Sequence, residues 1–192
     1  MKNTKNSFPY YLKITGVLLV ITMSIAFILS FVNAVTKDVI AANEEKKTNE
    51  AVALLFPQAE NAISGEAAVF AEEIANLEGF YKVNDGDKTV GFYAKVAPIG
   101  FKGAVTMLVG LDLDGKVCGV EILSHSETVG IGDKALNKDY TDRFNGIKVN
   151  GTEPDVSVDA IGGATYSSKA VKEGVRIALV AYVRSNFTDQ ND

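Results

Sequence analysis

"AVTMLVGLDLDGKVCGVEIL", residues Ala104 to Leu123, places two Val- and Leu-rich runs on either side of Asp114-Gly115. Glycine takes the positive φ that a tight turn needs, and β-branched residues suit a pleated, half-buried surface. The stretch therefore predicts a pair of central antiparallel strands. Upstream, "GFYKVNDGDKTVGFYAKV" (Gly79 to Val96) repeats the device around Asp85-Gly86 and predicts another hairpin. Downstream, "DKALNKDYTDRFNG" (Asp133 to Gly146) reads as a short helix stopped by Gly146, and "VSVDAIGG" (Val156 to Gly163) as one more strand running into glycines. Val171, Val175, Ala178, Leu179, Tyr182 and Val183 then recur at helical spacing, opposite Lys169, Lys172, Glu173 and Arg176. That pattern predicts a closing amphipathic helix against the sheet. The fold class that follows is α+β, an antiparallel sheet with packed helices.

Ahead of this domain, no charge interrupts the chain between Lys13 and Lys37, and "ITGVLLVITMSIAFILSFVNAV" exceeds the ~20 residues that cross a bilayer as a helix. A cleaved signal peptide is the competing reading, but its apolar region runs only ~7–15 residues, so a retained single-pass anchor is expected. Lys2, Lys5 and Lys13 precede the span, which favours a cytoplasmic N-terminus and a domain on the extracytoplasmic side of the cell membrane. The expected organisation is a cytoplasmic segment 1–13, a transmembrane helix 14–36, a stalk or docking helix 37–57 ending at Pro57, the domain 58–187 and a tail 188–192. One uncharged helix offers no ion path. The formal charge of −5 supplies no basic surface for nucleic acid. Cys118 is the sole cysteine, so no internal disulfide forms, and its strand setting predicts a small buried hydrophobe.

Two polar stretches interrupt the pattern. "DAIGGATYSS" (Asp159 to Ser168) sets Gly162, Gly163 and Ala164 ahead of Thr165, Ser167 and Ser168, where the chain enters the closing helix. One reading is capping, in which a hydroxyl accepts an orphan backbone N–H. The other is an anion site, because free amides and the positive end of a helix dipole suit phosphate. "SHSETVGIGDK" (Ser124 to Lys134) joins His125, Glu127 and Thr128 to a compact Gly130-Ile131-Gly132 turn. It lacks the third glycine of a dinucleotide fingerprint, and one His with scattered carboxylates offers no zinc spacing; no metal site and no nucleophile triad is expected.

The single N-terminal span, "APIGFKGAVTMLVGLDLDGKVCGVEILSHSET", "ETVGIGDK" and "GGATYSSKAV" together resemble the FMN-binding domain family. That family is found in the G subunit of the Rnf complex and in the C subunit of the sodium-translocating NADH:quinone reductase. The resemblance covers most of residues 50 to 185, and the short length is more similar to the Rnf protein. Its specific motif is S/T-G-A-T-x-S/T, whose central threonine bears FMN through a phosphoester and falls on Thr165. A glycine replaces the Ser or Thr at the head of that motif, and Val129 and Ile131 replace the Pro and Leu of E-T-P-G-L-G.

The resemblance implies covalent FMN on Thr165, with Gly162, Gly163, Ala164, Ser167 and Ser168 about its phosphate. Glu127, Thr128, Gly130, Ile131 and Gly132 are expected to meet the ring or ribityl chain, with His125 supporting that loop. It further implies an electron-relaying subunit of an ion-translocating ferredoxin:NAD oxidoreductase that does not itself bind NAD. Other membrane subunits of that complex, the lipid bilayer and an exported flavin transferase using FAD are the implied partners. A freestanding, membrane-tethered flavoprotein serving another acceptor, and a non-catalytic exported binding domain, remain the alternatives.

Overall fold

A computed structural model describes residues 8–59, 62–70, 72–149 and 154–185 of the chain. The chain divides into two compact units, one ending at Lys46 and the other beginning at Lys47. Helix α1 (Phe8–Leu55) opens the chain. Its apolar side chains from Ile14 to Val35 are exposed around the whole circumference, and the helix is long and apolar enough to cross a membrane.

The second unit is built on a five-stranded antiparallel meander, β1 (Ala62–Ala67), β2 (Leu77–Asp85), β3 (Lys88–Val96), β4 (Thr106–Leu111) and β5 (Val117–Ser124), paired in chain order. Both expected hairpins are present. Gly86 turns β2 into β3 at φ +63° and Gly115 turns β4 into β5 at φ +72°, conformations that L side chains resist. Side chains alternate across the sheet. Phe92, Ala94, Val96, Met107, Val109 and Leu111 join one cluster, whereas Tyr93 and Leu108 belong to the other.

Helix α3 (Thr165–Arg184) covers the first face with Val171, Val175, Ala178 and Leu179, all fully buried. Gly174 brings it close, since a Cβ there would stand 2.7 Å from Met107 Sδ. The last turns of α1 cover the other face. Ala51, Val52, Leu55 and the following Phe56 pack against Val83, Tyr93 and Leu108.

Four expectations change. Strand β1 was not visible in "AISGEA", which has little β-branched or aromatic bulk; pairing with β2 makes it a strand. Strand β5 is an edge strand, not a central one. Residues 156–163 form no strand. The free edge of β5 is already met by the chain at 146–148, through Gly146 N–H to Val117 O (2.8 Å) and Val117 N–H to Ile147 O (2.8 Å). Residues 156–163 are irregular, with Val158 buried in the core cluster. The short helix of 133–146 is broken into α2 (Lys138–Thr141) between two 3₁₀ turns, Gly132–Leu136 and Asp142–Phe144, because Asn137 is extended at φ −78°, ψ 154°.

Cys118 corrects a further detail, for the residue is exposed. Its sulfur nevertheless lies over Gly110. Desolvation of the thiol, followed by the charge of Asp112, pushes it up to about 11, so it remains a thiol at neutral pH.

Truncating the core face of α3 tests this arrangement. Leu179→Ala is expected to cost about 2–5 kcal/mol, seen as a lower urea midpoint for the full chain in detergent at unchanged slope. Val183→Ala, at a position 42% exposed, should stay within about 0.5 kcal/mol of the parent.

Candidate functional site

Three loops meet at the start of α3. The β3–β4 loop folds back on itself as a small hairpin, with Ile99 bridged to Ala104 and Gly100 N–H donating to Gly103 O at 2.8 Å. The loop after β5 turns at Thr128, whose carbonyl accepts the amides of Ile131 (3.2 Å), Gly132 (3.0 Å) and Asp133 (3.4 Å). The third loop, Gly162-Gly163-Ala164, leads into the helix, with Gly163 at φ +81°. That backbone suits the residue: glycine adopts it freely, whereas an L side chain would be strained there.

Glu127 sits where the loops converge and is 6% exposed. Its Oε1 accepts the backbone amides of Phe101 (2.7 Å) and Lys102 (3.1 Å), and its Oε2 accepts the Ser167 hydroxyl (2.8 Å). The glycines around it make room. A Cβ on Gly100 would collide with Oε1, and one on Gly132 would lie 2.5 Å from Oε2. The two glycines of the G-x-G turn thus serve different needs, because Gly130 supplies a φ of +79° with open space around it. Burial raises the Glu127 carboxyl. Hydrogen bonds from Ser167, Lys102 and Phe101, with the nearby His125, more than offset this and hold it below its ordinary value of 4.5.

The hydroxyls of the α3 entry divide sharply. Ser167 donates to Glu127, and Ser168 accepts the Ile161 amide at 3.0 Å; both are buried. Neither is therefore offered to a phosphate in this geometry. Thr165 is the first residue of α3, is exposed, and makes no hydrogen bond through its hydroxyl among the described residues. Among the described residues, no side chain caps the helix. Its regular ladder begins with Ser168 N–H to Ala164 O at 2.8 Å, leaving the amides of Thr165, Tyr166 and Ser167 without backbone acceptors. Simple capping does not account for this run, whereas an anion at Thr165 would meet free amides and the positive helix end.

A cavity of about 200 Å³ opens beside Thr165, lined by Glu127, Thr128, Ile131, Gly132, Gly163, Ala164 and Ser167 together with Phe101 and Tyr166. Gly162, Ser168, Gly130 and His125 lie outside its lining. His125 instead accepts the Glu127 amide at Nδ1 (3.2 Å), a supporting position. Phe101 and Tyr166, with ring centroids 5.8 Å apart, were absent from the expected site. Their signal was weak: one is the apolar residue of "IGFKG", the other the variable position of the G-A-T-x-S motif. The residues present fit FMN in two respects, the free amides for a phosphate and the exposed apolar side chains of Phe101, Ile131 and Tyr166 for a ring. The cavity is smaller than the ~300–1,000 Å³ of pockets that enclose such a ligand.

The charge of Glu127 carries a pH signature. Its folded value lies below the unfolded one, so its contribution is complete above the ordinary carboxylate range and disappears as pH falls through the folded value. Glu127→Gln should lower the melting temperature at pH 7 and remove part of the loss on acidification, as thermal melts between neutral pH and about pH 3 would record.

A model of the FMN-binding domain matches residues 100–180, which contain the tip of the β3–β4 loop and the other two loops. The G subunit of the Na(+)-translocating ferredoxin:NAD(+) oxidoreductase complex of Acetobacterium woodii is 30% identical, over 88% of this chain and 90% of its own. The G subunit of the proton-translocating complex of Clostridium ljungdahlii is 28% identical, over 79% and 80% respectively. Among solved structures, the C subunit of the Na(+)-translocating NADH-quinone reductase of Parabacteroides distasonis aligns at TM-score 0.44 and 21% identity, covering 55% of this chain and 61% of that one. This chain therefore spans less than two thirds of that structure, a likeness too slight to bear on function. On the similarity that extends over nearly the whole of the Acetobacterium woodii protein, the chain belongs to the family of FMN-binding G subunits of ion-translocating oxidoreductase complexes.

Proposed function

We propose that Thr165 carries FMN through a phosphoester on its Oγ1, and that this chain relays electrons within a membrane-bound, ion-translocating ferredoxin:NAD oxidoreductase. The observation that carries the proposal is the division of hydroxyls at the α3 entry. Ser167 and Ser168 are buried and engaged, while Thr165 alone is exposed and unengaged beside free helix amides. FMN would supply the electron-accepting and electron-donating chemistry. The protein's share is positional. The amides of Thr165, Tyr166 and Ser167 meet the phosphodiester charge, and Phe101, Ile131 and Tyr166 offer the ring an apolar surface. Because the cavity encloses only part of such a molecule, a covalent tether keeps the local concentration high whatever the intrinsic affinity.

In this reading α1 is the anchor, with its N-terminus in the cytoplasm and the flavin domain on the extracytoplasmic side, as the lysines ahead of the span favour. A separate exported transferase attaches the flavin, and polytopic subunits of the complex carry the ion, since the span of α1 holds no charge between Lys13 and Lys37. Similarity along most of the Acetobacterium woodii protein supports a place in such a complex over a freestanding role.

The test is the intact mass of the full chain, produced with a flavin transferase and purified in detergent. The parent should gain the mass of one FMN less one water, Thr165→Ala should gain none, and Ser167→Ala and Ser168→Ala should retain the gain. Flavin that survives denaturation of the Thr165→Ala protein would falsify the assignment.

A further inference from the structure

We propose that Glu127 is the positioning residue of this site: its carboxylate pins the tip of the β3–β4 loop to the first turn of α3 and so sets Phe101 against Tyr166 beside Thr165. Phe101 is 67% exposed and Tyr166 64% exposed, so side-chain packing does little to hold either ring in place. The internal bonds of the loop, Ile99 to Ala104 and Gly100 to Gly103, keep its hairpin shape but do not aim its tip. The aim comes from the two amide bonds at Phe101 and Lys102, whose shared acceptor is Glu127 Oε1. The other oxygen of the same carboxylate holds Ser167, one residue beyond Tyr166. One rigid group therefore spans the loop and the helix, and each of its oxygens already faces a protein donor. Glu127 acts through Phe101 and Ser167. What the two rings face rests on the reading of Thr165 as the point of FMN attachment; the pinning does not.

The substitutions separate geometry from charge. Glu127→Ala removes the link. Glu127→Gln retains an acceptor oxygen for the two amides and can donate its NH₂ to Ser167 Oγ. The first measurements use the full chain in detergent, made without flavin. Both amides lose their charged acceptor in Glu127→Ala and keep a weaker neutral one in Glu127→Gln, so trypsin should cut after Lys102 at least about tenfold faster in Glu127→Ala, with Glu127→Gln between it and the parent. The amide protons of Phe101 and Lys102 should resonate downfield in the parent and move upfield in Glu127→Gln as the acceptor loses its charge. This comparison decides the matter even if Glu127→Ala does not fold.

In flavinylated protein, the visible circular dichroism of the flavin should change in Glu127→Ala and return to the parental signal in Glu127→Gln. Equal cutting in all three proteins, or amide shifts that ignore the Gln substitution, overturns the pinning. Rapid cutting with unaltered flavin dichroism in Glu127→Ala overturns the placement of Phe101 at the flavin. A parent chain without the FMN mass would sink the reading of Thr165, and the flavin-free measurements would still decide the role of Glu127.

Discussion

Taking a carboxylate out of water costs several kcal/mol unless donors replace its hydration. Glu127 meets that demand with donors drawn from 25, 26 and 40 residues away along the chain. Each bond presupposes that a different segment has already arrived: the β3–β4 loop for the two amides, the α3 entry for the hydroxyl. The sheet makes this possible. Antiparallel pairing in chain order places the β3–β4 connection and the exit of β5 at the same end, and α3 crosses the face between them with its first turn at that end. Gly100 and Gly132 complete the constraint, because any side chain there would occupy the carboxylate's position.

The functional consequence lies in what this network leaves free. By engaging Ser167 it removes one of three neighbouring hydroxyls from the surface, and Ser168 is withdrawn by its bond to the Ile161 amide. Thr165 remains, at the positive end of a 20-residue helix. A shallow cavity beside an available hydroxyl is a poor trap for a dissociable nucleotide and a suitable seat for a tethered one. The pinned loop and the one available hydroxyl are thus products of the same hydrogen-bond network.

Much of the fold was legible in the sequence wherever structure follows from near neighbours. Asp85-Gly86 and Asp114-Gly115 announced their hairpins because glycine enters the left-handed turn at no steric cost, and α3 announced itself through a 3.6-residue apolar period. The failures share a cause. "AISGEA" becomes a strand only because β2 offers it an edge, whereas Val156 to Gly163, with better strand residues, pairs with no strand, and the start of the β5 edge at Val117 is taken by the chain at 146–148. At the site, the motifs singled out Thr165 and the Gly130-Ile131-Gly132 turn. Phe101 and Tyr166 escaped notice, since an exposed aromatic residue leaves no periodic mark.

The sequence by itself determined the apolar N-terminal helix, the two hairpins, the amphipathic closing helix and the clustering of hydroxyls at its start, because turn dihedrals and burial periods are written in residues a few positions apart. Only the tertiary structure decided which strands pair, which glycine is needed for its φ and which for its missing Cβ, and which of three adjacent hydroxyls stays available. Those outcomes depend on groups brought together across tens of residues, where a hydrogen bond to one partner withdraws the atom from every other.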